Sequence, residues 1–193
     1  MDKYIRELII SSREKYIPVM REKTAELLIS IVRSREIDQV LEIGTCVGVS
    51  GLCVLTSGAK HLTTIDIDED AVEKAKANFR ACGVYDKAVF IVGDCFDVLK
   101  YMEHNKYDLI ILDGPKGHYD VLAKVLLPML NKNGVLFADD VDFYGYTNAD
   151  NVKHKHRTIV NGMRSFLSLF ADSKEYKVTQ YEIEDGVAVI EKV

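Results

Sequence analysis

The sequence predicts an α/β fold: a doubly wound, mostly parallel, seven-stranded sheet that ends in a C-terminal antiparallel hairpin. Short apolar runs alternate with amphipathic stretches along most of the 193 residues, which is typical of βα units joined by right-handed crossovers. Asp185-Gly186, near the C-terminus, is a strong hairpin turn signal. The length fits one domain, and we therefore predict a single domain over residues 1–193.

Seven segments have the length and pattern of strands. Tyr107–Leu112 is too short for a core helix and is apolar enough to be buried on both faces. The predicted strands are Gln39–Ile43, Leu62–Asp66, Ala88–Val92, Tyr107–Leu112, Gly134–Ala138, Tyr176–Ile183 and Val187–Ile190.

Helices are predicted where apolar residues recur at helical spacing. Residues 2–34 form one or two helices, which Pro18 would interrupt. The other predicted helices are Val49–Thr56, Glu69–Cys82, Cys95–Tyr101, His118–Leu130 and Arg157–Phe170.

The composition is that of an ordinary soluble domain, 48% hydrophobic and 28% charged, and it predicts a cytoplasmic protein. No apolar stretch approaches the ~20 residues of a membrane span, so no membrane partner is expected. A net charge of -5 gives no general attraction to nucleic acid. The four cysteines have no zinc-binding spacing, and we interpret them as reduced, buried thiols.

Two apolar runs end in acidic side chains, at Asp113 and at Asp139-Asp140. If both runs are parallel strands, these carboxylates meet at the carboxyl edge of the sheet, where open α/β folds bind ligands. Three carboxylates held together repel one another, and a hard divalent cation such as Mg²⁺ or Ca²⁺ would relieve that repulsion. The sequence therefore predicts a metal site at this edge.

A glycine-containing loop follows the first predicted strand, with Gly44 and Gly48 four residues apart. It is neither the dinucleotide fingerprint G-x-G-x-x-G nor a Walker motif, so a cofactor without phosphate fits better. Asp66 and Asp94 follow the next two strands, where an acid can bind ribose hydroxyls. The alternative for each acid is a helix N-cap, which we prefer for Asp68, and Asp97 is interpreted as first-turn charge. These features favour a nucleoside that carries a cation, such as S-adenosylmethionine (SAM).

The chain contains four motifs that are typical of one family: Leu41-Glu-Ile-Gly-Thr, Thr64-Ile-Asp-Ile-Asp, Leu112-Asp-Gly-Pro-Lys and Ala138-Asp-Asp-Val. By these motifs it resembles the cation-dependent, catechol and caffeoyl-CoA type O-methyltransferases, a group with small bacterial members. The resemblance runs from about Tyr16 to the terminal hairpin. It implies a Rossmann-like methyltransferase fold, N-terminal helices over residues 1–35 that cover the site, and a homodimer.

The resemblance also implies roles for single residues. Asp113, Asp139 and Asp140 would bind the metal, which is expected to be Mg²⁺, with Mn²⁺ or Ca²⁺ as alternatives; the family commonly has Asn where this chain has Asp140. Lys116 falls where the family has its presumed base. The SAM site would be formed by Met20, Glu42, Gly44, Ser50, Asp66, Ile67, Asp94, Cys95 and Asp113.

The chemistry that these residues would serve is methyl transfer to an aromatic hydroxyl. A phenol with a pKa near ~10 is mostly protonated at neutral pH, and a bound cation lowers that pKa and orients the oxygen. Lys116 could accept the proton if its own pKa is depressed. The alternatives are a surface lysine paired with an aspartate, and His118 as the base.

Two segments bear on the acceptor. The aromatic residues of Val141–Tyr146 could stack on a planar ring or form a dimer contact. The basic run Lys153–Arg157 could bind RNA phosphate or be a solvated surface. Some bacterial members of the family are similar to enzymes that methylate 5-hydroxyuridine in tRNA, so the acceptor is expected to be a catechol-like small molecule or tRNA. A nicotinamide-dependent oxidoreductase and a non-catalytic SAM-binding protein are the remaining hypotheses.

Overall fold

The computed structural model describes residues 1–102 and 104–193. It has the predicted fold class, a seven-stranded, mostly parallel sheet with an antiparallel C-terminal hairpin. The chain divides into two compact units, Met1–Tyr101 and Met102–Val193. None of the helices in the described residues combines the length and the hydrophobicity that crossing a bilayer requires.

The first unit contains three parallel strands, in the order β3-β2-β1, and five helices. Parallel pairing puts the carboxyl ends of all three strands at one edge, where Ile43 lies opposite Ile65 and Asp66 opposite Val92. The elements are α1 Lys3–Glu14, α2 Glu22–Arg33, β1 Gln39–Ile43, α3 Val49–Ser57, β2 His61–Asp66, α4 Glu69–Ala81, β3 Ala88–Val92 and α5 Cys95–Leu99.

The N-terminal segment forms two helices, and Pro18 lies in the connection between them. Helix α1 begins after Asp2, whose side chain accepts from the backbone N–H of Tyr4, and it ends at Glu14. Tyr16, just beyond it, has a φ of 56°, a left-handed conformation in which a helix cannot continue. The chain therefore leaves the helical conformation before Pro18, and Pro18 only lengthens the connection between α1 and α2.

The second unit contains β4, β5, β7 and β6, in that order. β4 and β5 are parallel, with Leu112 opposite Ala138, whereas β7 runs antiparallel to both β5 and β6. β4 is buried along almost its whole length, as its apolar composition predicts. The elements are β4 Tyr107–Leu112, α6 Tyr119–Leu126, β5 Leu130–Asp139, α7 Arg157–Ser168, β6 Tyr176–Tyr181 and β7 Val187–Lys192.

The predicted helix over His118–Leu130 is wrong at its C-terminal end. α6 ends at Leu126, a 3₁₀ turn covers Leu127–Met129, and β5 begins at Leu130, four residues before the predicted strand. Pro128 lies in the first turn of the 3₁₀ segment, where its missing N–H costs no hydrogen bond. The apolar run here continues across a helix end, so spacing alone did not reveal the boundary.

Candidate functional site

The glycine loop of the first unit joins β1 to α3. Gly44 has a φ of 100°, which favours glycine, and its N–H donates to the carbonyl of Ile65 at 2.9 Å. Gly48 is the N-cap of α3 with a φ of 89°, and a Cβ there would lie 2.6 Å from the ring of Phe79. The close approach that Gly48 permits is therefore made by the Phe79 ring of α4, not by a ligand.

Beneath this loop lies a buried polar network centred on Glu42. The Glu42 carboxylate is fully buried, and it accepts hydrogen bonds from the hydroxyls of Ser50 and Thr64. The Thr64 hydroxyl also bonds that of Thr45 at 2.6 Å. Burial, and then the charge of Glu42, raise the pKa of the neighbouring Cys53 thiol to about 12. In this structure Glu42 and Ser50, both predicted to bind the cofactor, bond each other and brace the loop.

Asp66, at the end of β2, fixes the loop from the other side. One of its oxygens accepts from the N–H of Cys46 at 2.8 Å and the other from the N–H of Asp68 at 3.0 Å. Cys46 has a φ of 47°, and its thiol donates to the carbonyl of Pro18 at 3.1 Å. The residues between α1 and α2 thus contact the glycine loop through Pro18, and Met20 of the same segment is buried.

The remaining predicted cofactor residues of the first unit differ in exposure. Asp94 is the N-cap of α5, because its side chain accepts from the N–H of Phe96 at 2.7 Å, so the capping alternative applies to it. Cys95 is buried, and burial, followed by the charge of Asp94, raises the pKa of its thiol. Ile67 is 72% exposed, a large apolar side chain left open beside Asp66.

In the second unit, the predicted acids stand at the carboxyl ends of β4 and β5. Asp113 directly follows β4, and Asp139 is the last residue of β5 and is 4% exposed. Asp140 has a φ of 56°, and its N–H donates to the Asp139 carboxylate at 2.8 Å. The left-handed turn at Asp140 bends the chain back, so that its carboxylate faces the same region as Asp113.

Lys116 joins two of these acids. Its Nζ lies 3.0 Å from Oδ1 of Asp113 and 2.8 Å from Oδ2 of Asp140. Burial alone would lower the pKa of Lys116, but Tyr119 and the charges of Asp113 and Asp140 together raise it above its ordinary value. The depressed pKa that a base requires is therefore absent in this arrangement, where Lys116 is a paired ammonium. His118, the alternative base, is exposed at the end of the 3₁₀ turn Lys116–His118.

Asp139 is the buried acid of the set. Burial, and then repulsion from Asp113 and Asp140, raise its pKa well above the ordinary value. Within residues 1–102 and 104–193, no three His, Cys, Asp or Glu side chains are grouped so that they could hold a metal ion. The predicted metal triad is thus not assembled in this structure, although its three members interact electrostatically and supply only the oxygen donors that Mg²⁺ prefers.

Asp113, Asp139, Asp140 and Lys116 form the acid–lysine cluster. The residues that support it were not predicted from the sequence. Tyr119 is fully buried, and its hydroxyl donates to the backbone carbonyls of Leu112 and Asp139. Gly162 of α7 lies directly on Gly117, because a Cβ at Gly162 would come within 2.5 Å of the Gly117 carbonyl oxygen. A glycine inside an amphipathic helix is a signal of such close packing, but it does not identify the partner.

The aromatic loop and the basic run of the second unit contact each other. His156 stacks on Tyr146, with ring centroids 5.2 Å apart, and meets Phe143 edge-on at 5.5 Å. Phe143 is buried, whereas Tyr144 is 67% exposed. The exposed cations at Lys153, Lys155 and Arg157 therefore flank an aromatic surface that begins three residues after Asp140.

A family model described as O-methyltransferase matches residues 2–193. The chain belongs to the O-methyltransferase family. The resemblance inferred from the motifs is thereby confirmed, and it covers both the glycine loop and the acid–lysine cluster.

Two relatives and one solved structure illustrate the membership. The chain is 30% identical over 107 residues to O-methyltransferase hkm8 of Aspergillus hancockii, across 53% of this chain and 42% of that protein. It is 20% identical over 183 residues to the protein named probable caffeoyl-CoA O-methyltransferase 3 of Dictyostelium discoideum, across 86% and 72% of the two chains. The O-methyltransferase TomG of Streptomyces achromogenes, solved in complex with SAM, superposes with a TM-score of 0.88 at 20% identity, covering 100% of this chain and 91% of TomG. At that identity the superposition shows a shared fold.

Proposed function

We propose that this member of the O-methyltransferase family transfers a methyl group from SAM, with the help of a divalent cation, to an aromatic hydroxyl that has an oxygen on the adjacent carbon. The observation that carries the proposal is the acid–lysine cluster. Two carboxylates from neighbouring strand ends, those of Asp113 and Asp140, pair with Lys116 at Nζ to oxygen distances of 3.0 and 2.8 Å, and the buried Asp139 directly precedes Asp140. An aromatic loop follows the last of these acids directly.

The first unit supports SAM as the methyl donor. Its loop lacks the glycines that cradle a pyrophosphate, which disfavours a dinucleotide. Two backbone N–H groups orient the Asp66 carboxylate at the end of β2, the place where an acid binds ribose, and the exposed Ile67 beside it offers an apolar face to a base. TomG, which has this fold, was solved with SAM.

In the second unit, Asp113, Asp139 and Asp140 would hold the cation, and the repulsion among these neighbouring carboxylates is the reason to expect one. When bound, the cation would lower the pKa of the acceptor hydroxyl and orient it, while SAM supplies the methyl group. Lys116 now pairs with Asp113 and Asp140, and these carboxylates would pair with the cation instead when it is bound. Without their charges the pKa of Lys116 would fall, so that it would release its ammonium proton to solvent and, as the neutral amine, be placed to take the hydroxyl proton.

The second candidate acceptor is 5-hydroxyuridine in tRNA, whose 5-hydroxyl and 4-carbonyl also form an adjacent oxygen pair. The contact of His156 with Tyr146 and Phe143 favours it, because that contact brings the basic run to the aromatic loop. Exposed cations next to the exposed Tyr144 ring suit a nucleotide, whose phosphates and base they would bind respectively.

The testing experiment measures labelled methyl transfer from SAM to a panel of catechols and to tRNA that carries 5-hydroxyuridine, with Mg²⁺ or Mn²⁺ and with EDTA. We expect transfer that EDTA abolishes, and that Asp113→Ala and Asp139→Ala abolish while the exposed Asp172→Ala does not. Full activity in excess EDTA would reject the role of the metal.

The same assay separates the two acceptors. For a tRNA acceptor, Lys153→Ala with Lys155→Ala should reduce RNA methylation at least tenfold and weaken its salt dependence, whereas Lys174→Ala, another exposed lysine, should not. For a catechol acceptor, all three lysines are dispensable.

The proposal includes a homodimer in the cytoplasm. The family resemblance suggests the dimer, and four free cysteines suit a reducing compartment. Sedimentation of the purified protein tests the oligomeric state directly.

A further inference from the structure

The Tyr119 hydroxyl lies between the two strand ends that carry the acid–lysine cluster. It donates to the carbonyl of Leu112 at 2.9 Å and to that of Asp139 at 3.3 Å. Leu112 is the last residue of β4 and precedes Asp113, and Asp139 is the last residue of β5. The side chain is fully buried, so no water competes for these two carbonyls.

We propose that Tyr119 is a positioning residue: it fixes the separation of the ends of β4 and β5 and thereby the geometry of Asp113, Asp139 and Lys116. This inference rests on the proposed function, in which that geometry holds the cation and the acceptor. Tyr119 is fully buried, so its side chain is not open to a methyl donor or an acceptor.

The position of Lys116 supports this role. Lys116 lies three residues before Tyr119, and its ammonium joins the same two strand ends through Asp113 and Asp140. One short segment therefore bridges β4 and β5 twice, through backbone carbonyls and through side-chain carboxylates. The carboxylates repel one another, which would spread the strand ends, and the Tyr119 hydroxyl opposes that spreading.

Helix α7 fixes the Tyr119 ring from behind. The Phe166 ring meets it edge-on, with centroids 5.7 Å apart, and Gly162 packs against Gly117 two residues away. An aromatic side chain has few rotamers, and one that is packed on all sides has a single position. The hydroxyl is thus held by packing, and its hydrogen bonds transmit that position to the strand ends.

The test is Tyr119→Phe, which removes the hydroxyl and keeps the ring. Tyr107→Phe is the matched control, because Tyr107 is also buried, lies at the opposite end of β4, and has a hydroxyl that accepts from the Asn105 side chain at 3.3 Å. Two readouts apply to each variant: Mn²⁺ affinity measured by paramagnetic resonance, and the side-chain ammonium signal of ¹⁵N-labelled Lys116 measured without metal.

For Tyr119→Phe we expect Mn²⁺ binding about tenfold weaker, a lower kcat with an unchanged KM for SAM, and loss of the Lys116 ammonium signal through faster exchange. Tyr107→Phe should match the wild type in all three. Wild-type Mn²⁺ affinity together with a wild-type ammonium signal in Tyr119→Phe would overturn the proposal. If the wild-type protein binds no Mn²⁺, the metal part of the proposed function fails, and the ammonium signal alone decides the role of Tyr119.

Discussion

Lys116 lies between two carboxylates, and mutation can separate its role as their counter-ion from its proposed role as a base. Lys116→Ala should lower turnover by about 10²–10⁴-fold, the range for general acid–base catalysis, without changing SAM affinity. Lys116→Arg keeps the positive charge but cannot give up a proton, so it should be as slow as alanine if Lys116 is the base. The exposed Lys124→Ala is the control, and recovery of turnover by arginine would assign Lys116 to charge balance alone.

Asp139 makes the folded chain sensitive to pH. Its pKa is raised by folding, so the folded chain holds this proton more tightly than the unfolded chain does. The free energy of unfolding therefore falls as the pH rises from about 3.8 through the folded pKa, and the loss persists above it. Asp139→Asn removes the charge and keeps an oxygen for the Asp140 N–H, so it should raise stability at pH 7 by about 1–2 kcal/mol while abolishing activity.

Urea unfolding at pH 4 and at pH 7 measures that difference. The stabilising effect should be larger at pH 7 than at pH 4, because folding raises the pKa of Asp139 and its charge destabilises the folded chain more as the pH rises. The exposed Asp172→Asn should change stability little at either pH. An Asp139→Asn protein less stable than the wild type at pH 7 would show that Asp139 is stabilised by its neighbours.

At the scale of elements, the contact of α7 with the Lys116–His118 turn depends on Gly162. Alanine in a helix interior gains about 1 kcal/mol over glycine, but a Cβ at Gly162 would lie 2.5 Å from a backbone oxygen. Because a backbone carbonyl cannot rotate away as a side chain can, we expect overpacking of about 1–3 kcal/mol to exceed that gain.

Gly162→Ala should therefore lower the melting temperature and turnover together, since it displaces the turn that carries Lys116. Gly117→Ala is the matched change on the same contact, because its Cβ would meet no atom closer than 3.7 Å. Thermal unfolding and the methyl-transfer assay of both variants check this. If Gly162→Ala and Gly117→Ala were equally stable, α7 would accommodate the added methyl group at position 162 with no loss of folding free energy.

At the scale of the whole molecule, binding of the cofactor should raise the stability of the chain. SAM at 100 times its dissociation constant should stabilise the protein by about 2.7 kcal/mol, and NAD at the same concentration should not. A thermal-shift series with both ligands measures this, and stabilisation by NAD alone would revive the oxidoreductase hypothesis. SAM binding without turnover on any acceptor would favour a non-catalytic protein.

The sequence predicted those parts of the fold that depend on local pattern. The bounds of β1, β3 and β4 match their apolar runs residue for residue. The start of β5 was missed because its first four residues, Leu130–Asn133, are mostly polar and lie outside the apolar run of the strand.

In the candidate site, the positions of the acids followed from the strand ends, but their partners did not. Pairing of Lys116 with Asp140 depends on how the ends of β4 and β5 pack, and pairing of Ser50 with Glu42 depends on the path of the loop between β1 and α3. Residue spacing encodes neither. The left-handed conformation of Asp140 could not be predicted either, because no sequence pattern around a non-glycine residue indicates a positive φ.

The loop after Asp139 also has a consequence for evolvability. Phe143 and Tyr144 have φ values of 44° and 59°, a backbone conformation that glycine and asparagine adopt more easily than aromatic residues. Most mutations that give an active site a new specificity lower the stability of the folded protein. At the exposed position 144, a change to asparagine or glycine would relieve the backbone while remodelling the surface that the proposed function assigns to the acceptor. If that assignment holds, selection for new acceptors can begin at this position without a prior stabilising mutation.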